Sequence, residues 1–124
     1  MKPDVRDGQM AKAIAGQVGL PTAATDPFAS GGMIHLTRAE AAHVLAVAGA
    51  TSLAYGQTLP PTAALKEAKN GLADLNGNAT FLSNGHWGSG SAEGWSPLTA
   101  STFDGGVIGF DHVSAFIFWV EEED

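Results

Sequence analysis

The chain has 124 residues, the usual size of one domain, and this length is enough to bury a core without disulfides. It contains no cysteine, so disulfides, thiolate metal sites and thiol catalysis are all excluded. The net charge of −7 is concentrated in residues 70–124, which hold eight acidic residues and neither lysine nor arginine. That distribution argues against a nucleic-acid partner, because binding to a phosphate backbone needs clustered basic residues.

Residues 8–18 are predicted to form the first helix, since Met10, Ile14 and Val18 recur at four-residue spacing. Gly19 is the predicted stop. No signal-peptide pattern precedes the helix, and no run approaches the roughly 18 apolar residues of a membrane span. We therefore expect a cytoplasmic protein that does not bind membranes. We also expect a single domain, in which a helix and loop (1–32) are loosely attached to an α+β core (33–124).

Two further helices follow a short predicted strand at residues 33–36. Thr37 and Glu40 have the spacing of a capping box, in which a hydroxyl caps the first turn and a carboxylate reaches back to it. This pair predicts that the second helix begins at residue 38, and its apolar positions carry it to about residue 55. The apolar face of "TAALKEAKNGLADL" predicts a third helix over residues 62–75.

The C-terminal part is predicted to supply the strands, at residues 79–82, 102–110 and 113–124. Asp111 and His112 are interpreted as a tight turn between the last two strands. The final strand is apolar on both faces, which predicts that it is covered on both sides. The predicted fold class is α+β, with two or three helices packed on a small, mostly antiparallel sheet that ends in a C-terminal hairpin.

The stretch "SNGHWGSGSAEGWSPLT", residues 83–99, is rich in glycine and serine. It contains no lysine, and its glycines lead to Trp95 and Pro97 rather than to a helix, so neither nucleotide-binding motif is present and no cofactor is predicted. We interpret it as a loop that presents His86 and Trp87. Trp95 is expected to anchor its far end, whereas Trp87 either packs on the core or contacts a partner.

The first functional hypothesis is a non-catalytic binding protein whose acidic C-terminal half contacts a basic protein. Aromatic side chains favour interfaces, and close like charges gain energy when a cationic partner neutralises them. The general profile is similar to that of bacterial immunity or inhibitor proteins, which mask basic toxins. The predicted partner-binding residues are His86, Trp87, Trp95, Glu121, Glu122, Glu123 and Asp124.

The second hypothesis is a small enzyme or ligand-binding domain. Its pocket would bring together His86, Asp104, Asp111 and His112, with a histidine as general base and a carboxylate to orient it. The serines nearby do not lie in a Gly-x-Ser-x-Gly elbow, so no catalytic residue is assigned. The histidines also lack the spacing of metal ligands, and no metal site is predicted.

The third hypothesis is a structural or assembly subunit. In this case the apolar C-terminal strand would pair with the same strand of a second copy, and the protein would be a homodimer.

Overall fold

The computed structural model describes residues 5–20, 33–50, 61–75, 77–85, 99 and 103–122. Within these ranges the helices are α1 (Val5–Gly16), α2 (Arg38–Ala50) and α3 (Thr62–Leu72). The strands are β1 (Ile34–Leu36), β2 (Thr80–Ser83), β3 (Phe103–Phe110) and β4 (Ala115–Glu122). They form one antiparallel sheet in the order β1-β2-β3-β4, and β3 and β4 make a C-terminal hairpin. The predicted α+β class is confirmed. No helix in the described ranges is long and apolar enough to cross a membrane.

Helices cover both faces of the sheet. Successive strand residues point to opposite faces, so Phe81 and Leu82 of β2 enter different cores. The first core lies under α1, where Ala11 and Ala15 are fully buried, although the sequence predicts only loose attachment for this helix. It contains Ala11, Ala15, Met33, Leu82, Ile108 and Phe110. The second core lies under α2 and α3 and contains Leu36, Ala41, Ala42, Val44, Leu72, Phe81 and Val107.

The first helix ends as the sequence predicts, at a glycine in the left-handed region. Gly19 has φ +82°, and the N–H of Leu20 donates to the carbonyl oxygen of Ala15 at 3.0 Å. This six-residue closure is the Schellman motif, which satisfies a carbonyl at the helix end. The helical residues stop at Gly16, two residues before the predicted boundary, because residues 17–19 form the closing turn.

The predicted capping box is present at the start of α2. The backbone N–H of Thr37 donates to Glu40 Oε1 at 2.8 Å, and the backbone N–H of Glu40 donates to Thr37 Oγ1 at 3.1 Å. The side chain of each residue therefore accepts a hydrogen bond from the backbone N–H of the other, and the helix itself supplies no acceptor for these N–H groups.

We expect Thr37→Ala to lower the free energy of unfolding by about 1 kcal/mol, because the Glu40 N–H loses its acceptor. Chemical denaturation followed by circular dichroism measures this change. Thr62→Ala, at an exposed first position of α3, is the matched control and should change the stability by less than about 0.5 kcal/mol. Equal losses in the two variants would contradict the capping role of Thr37.

Arg38 joins the start of α2 to the end of α3. Its guanidinium donates to the carbonyl oxygens of Leu72 and, at 3.3 Å, of Leu75, and it lies 5.3 Å from the centroid of the Phe81 ring. The last carbonyls of a helix lack intrahelical donors and carry partial negative charge, so a cation there is stabilising. The contact fixes α3 beside α2 above the sheet.

The β3–β4 connection is longer than the predicted two-residue turn. The backbone N–H of Asp111 donates to the carbonyl oxygen of Ser114 at 2.8 Å. Asp111 Oδ1 in turn accepts the N–H groups of Val113 at 2.8 Å and Ser114 at 2.6 Å. The Asp111 carboxylate therefore organises residues 111–114 as an Asx-type turn, and the neighbouring His112 is exposed.

The last strand is partly covered on both faces, as its apolar pattern predicts, since Ile117 and Trp119 pack against the core under α1 and Phe116 packs against the core under α2 and α3. Among the described strands β4 pairs only with β3, so it lies at the edge of the described sheet. None of its side chains from Ala115 to Glu121 is buried, and Phe118 is 41% exposed. The apolar run predicts a strand correctly. It does not predict the position of that strand in the sheet, because the same composition suits a central strand and an edge strand whose faces are partly covered by helices.

Candidate functional site

Asp104 is the centre of a buried polar cluster near the start of β3. It is fully buried, and its carboxylate accepts four hydrogen bonds. Oδ1 accepts from Asn84 Nδ2 at 3.1 Å and from Trp119 Nε1 at 3.0 Å. Oδ2 accepts from the backbone N–H of Thr99 at 3.2 Å and from Thr99 Oγ1 at 3.1 Å. A carboxylate held by this many donors is a structural acceptor rather than a solvent-facing base.

The cluster also joins the two ends of the Gly-rich stretch. Asn84, at its beginning, donates a second bond from Nδ2 to the main-chain oxygen of Asp104 at 2.9 Å, and Thr99 lies at its end. Both residues are buried. The predicted site residues His86, Trp87 and Trp95 lie between them and outside the described residues. Asp104 thus holds Asn84 and Thr99 together near the start of β3.

Sequence reasoning missed Asn84, Thr99 and Trp119 as partners of Asp104. One signal in the sequence pointed to a buried carboxylate. Asp104 lies on the same strand face as Ile108, which packs in the core under α1. Such a group must reach solvent or be hydrogen-bonded, since burial without partners costs several kcal/mol in rough terms. The identity of the donors depends on strand pairing, which the sequence leaves open.

The structure does not bring Asp104 together with Asp111 and His112. In the register of the hairpin Asp104 lies opposite Glu121, whereas Asp111 follows Phe110 at the other end of β3. The two aspartates are seven positions apart along extended chain, which corresponds to about 23 Å. The predicted pocket around these residues and His86 is therefore not supported by the described geometry.

A second pair of titratable residues connects α1 to the sheet. His35 of β1 and Asp7 of α1 lie 2.9 Å apart, from Nε2 to Oδ2, and are partly buried. This pair links the first helix to the edge of the sheet. Among the described residues no group of three His, Asp or Glu side chains is arranged to hold a metal ion.

An apolar groove of about 430 Å³ lies between α2, α3 and β4 on the opposite face of the sheet from Asp104. Its volume is typical of binding sites. Phe116 and Phe118 form one wall, and among the described residues that line the groove Glu67 is the one with a charge. The remaining lining residues are Leu45, Ala46, Gly49, Ala64, Ala68, Gly71 and Leu72. We refer to this feature as the groove.

The acidic residues at the end of β4 lie on this same edge of the sheet. Glu121 is exposed and lies on the face of Trp119, and Glu122 pairs with Phe103. The predicted partner-binding residues Glu123 and Asp124 lie outside the described residues, as does the side chain of Glu122. The two strands of the hairpin, residues 103–122, contain no lysine or arginine, so this edge carries a negative potential.

No family model, curated protein or solved structure matches this chain.

Proposed function

We propose that this chain is a non-catalytic protein-binding domain that engages a basic partner along β4. The proposal rests on the length, the edge position and the exposure of this strand. It is eight residues long, lies at the edge of the described sheet and has no buried side chain from Ala115 to Glu121. Proteins usually shorten, cover or charge such edges, because their free N–H and C=O groups pair readily with another chain.

The charge of the molecule supports a basic partner. Residues 70–124 carry a charge of −8 with no lysine or arginine, and Glu121 is exposed at the end of β4. Exposed charges of one sign contribute little to affinity individually, but together they accelerate encounter with an oppositely charged surface. This contribution weakens as salt screens the charges.

Self-association along β4 is a second candidate function, favoured by the same exposed edge. If two copies paired antiparallel about Phe118, Glu121 of one copy would face Ala115 of the other, so like charges would not be directly opposed. The net charge of −7 on each copy nevertheless disfavours the dimer, most strongly at low salt.

Selection of random short peptides displayed on phage tests the proposed function. We expect enriched peptides to be rich in lysine and arginine. Their binding should weaken at least about tenfold in Phe118→Ser, since an aromatic side chain at the centre of an interface is often a hot spot. Val113→Ser is the matched control, because Val113 is 79% exposed but lies in the turn outside β4.

The affinity of the selected peptides should also fall between about 50 mM and about 300 mM salt, as screening predicts. The proposal fails if no basic peptides are enriched, if binding is independent of salt, or if both variants bind like the parent protein.

A further inference from the structure

We propose that the groove is a specificity pocket for a strand added to β4. The inferred occupant is an extended partner segment that alternates large apolar residues with lysine or arginine. Its apolar side chains enter the groove, and its basic side chains lie on the opposite face of the sheet, near Glu121. This inference rests on the proposed function, because it requires a basic partner at β4.

The position of the groove beside the edge strand supports this mode of binding. Phe116 and Phe118 line the groove, and they lie on the sheet face that α2 and α3 cover. In an added strand, a side chain directly opposite Phe118 would have its Cβ about 4.5–5.5 Å away on the same face. Such a side chain is therefore at the mouth of the groove, so backbone pairing and side-chain insertion occur together.

The groove also has room for a side chain beside α3, because one of its lining residues is Gly71. A Cβ atom added at Gly71 would meet nothing within 4 Å among the described residues. The ring of Phe118 already covers Gly49, since a Cβ atom there would lie 3.5 Å from Phe118 Cζ. The open space therefore lies at Gly71 rather than at Gly49.

Charge complementarity selects a basic segment rather than a second copy of this chain. Glu67 is exposed on α3 at the groove, and Glu121 is exposed at the end of β4 on the other sheet face. Alternating basic residues of an added strand lie on one face, which is the face of Glu121. The β4 strand of a second copy would instead bring Glu121 and Glu122 and no basic residue.

The test uses a fluorescent peptide of alternating leucine and lysine, with binding measured by fluorescence anisotropy. The protein variant is Gly71→Leu, which fills the groove from α3 with a residue that favours helices more than glycine does. Gly16→Leu is the matched control, because a Cβ atom at Gly16 on α1 also meets nothing within 4 Å. We expect Gly71→Leu to weaken binding at least about tenfold and Gly16→Leu to leave it unchanged.

Two backbone-methylated versions of the peptide test strand addition separately. In a strand, alternate N–H groups point to the same side. N-methylation of one alternating set should therefore abolish binding, whereas methylation of the other set should not. A peptide of alternating leucine and glutamate should not bind.

The outcomes separate this inference from the proposed function. If selected basic peptides bind β4 but Gly71→Leu has no effect, or the two methylated peptides behave alike, the inference is overturned and the proposed function stands. If the selected basic peptides bind but the leucine–lysine peptide does not, the inference is likewise overturned and the proposed function stands. If no basic peptide binds, the proposed function itself fails. A stable dimer in light scattering that Phe118→Ser dissociates would show that a second copy occupies the edge, and would also overturn the inference.

Discussion

Asp104→Ala is expected to lower the free energy of unfolding by at least about 3 kcal/mol, because it leaves several buried donors without an acceptor. The donors that face the carboxylate come from Asn84, Thr99 and Trp119, and the first two of these residues are themselves buried. Urea denaturation followed by circular dichroism measures the loss. Asp74→Ala, at an exposed position after α3, is the control and should stay within about 0.5 kcal/mol of the parent.

A second substitution distinguishes lost hydrogen bonds from lost volume. Asp104→Asn keeps the shape of the side chain but turns one acceptor oxygen into a donor that faces other donors, so it should also be destabilising. In a double-mutant cycle of Asp104→Ala with Trp119→Phe the two losses should not add, because each change removes the bond at 3.0 Å. Parent-like stability of Asp104→Ala, or full additivity in the cycle, would contradict the role assigned to Asp104.

Gly106→Ala is expected to cost about 3 kcal/mol, at the upper end of typical overpacking losses. A Cβ atom there would overlap the carbonyl oxygen of Phe118 and lie 2.9 Å from Trp119 Cα. These are backbone atoms of the paired strand, so the clash is relieved only if β3 and β4 separate. Thermal and urea denaturation of the purified variant measure the effect.

Two other glycines provide graded controls for Gly106. A Cβ atom at Gly109 would overlap the ring of Phe116 and lie 3.0 Å from Phe81 Cδ1. Side-chain rings can shift, so Gly109→Ala should cost less, about 1–2 kcal/mol. Gly71→Ala should be neutral or stabilising by up to about 1 kcal/mol, since its surroundings are open and alanine favours helices. A larger loss at Gly109 than at Gly106 would contradict this explanation.

Features that depend on neighbouring residues were predictable from the sequence. The Thr37–Glu40 capping box is formed by residues three apart, so its pattern determines both hydrogen bonds. The stop at Gly19 likewise depends on local backbone geometry. The α+β class follows because helical and strand patterns occupy different parts of the chain.

Features that depend on long-range placement were not predictable. Trp119 reaches Asp104 because the hairpin register pairs Asp104 with Glu121 and thereby puts Trp119 on the same face. The turn sequence around Asp111 lacks the glycine of a strong hairpin signal, so the register was open. The groove requires α2 and α3 to lie together above β4, and Arg38 contributes to that arrangement through contacts 34 and 37 residues along the chain.

The meeting of Asn84 and Thr99 at one carboxylate has a consequence for how this chain can vary. Both ends of the segment between them are held at the Asp104 carboxylate. The length of this segment can therefore change without a change in the spacing of the strands. The entropic cost of closing a chain segment grows slowly with its length, by about 0.6 kcal/mol for each doubling. We therefore expect the fold to accept insertions between Asn84 and Thr99 without a change in the sheet. The condition is that both residues keep their hydrogen bonds to Asp104.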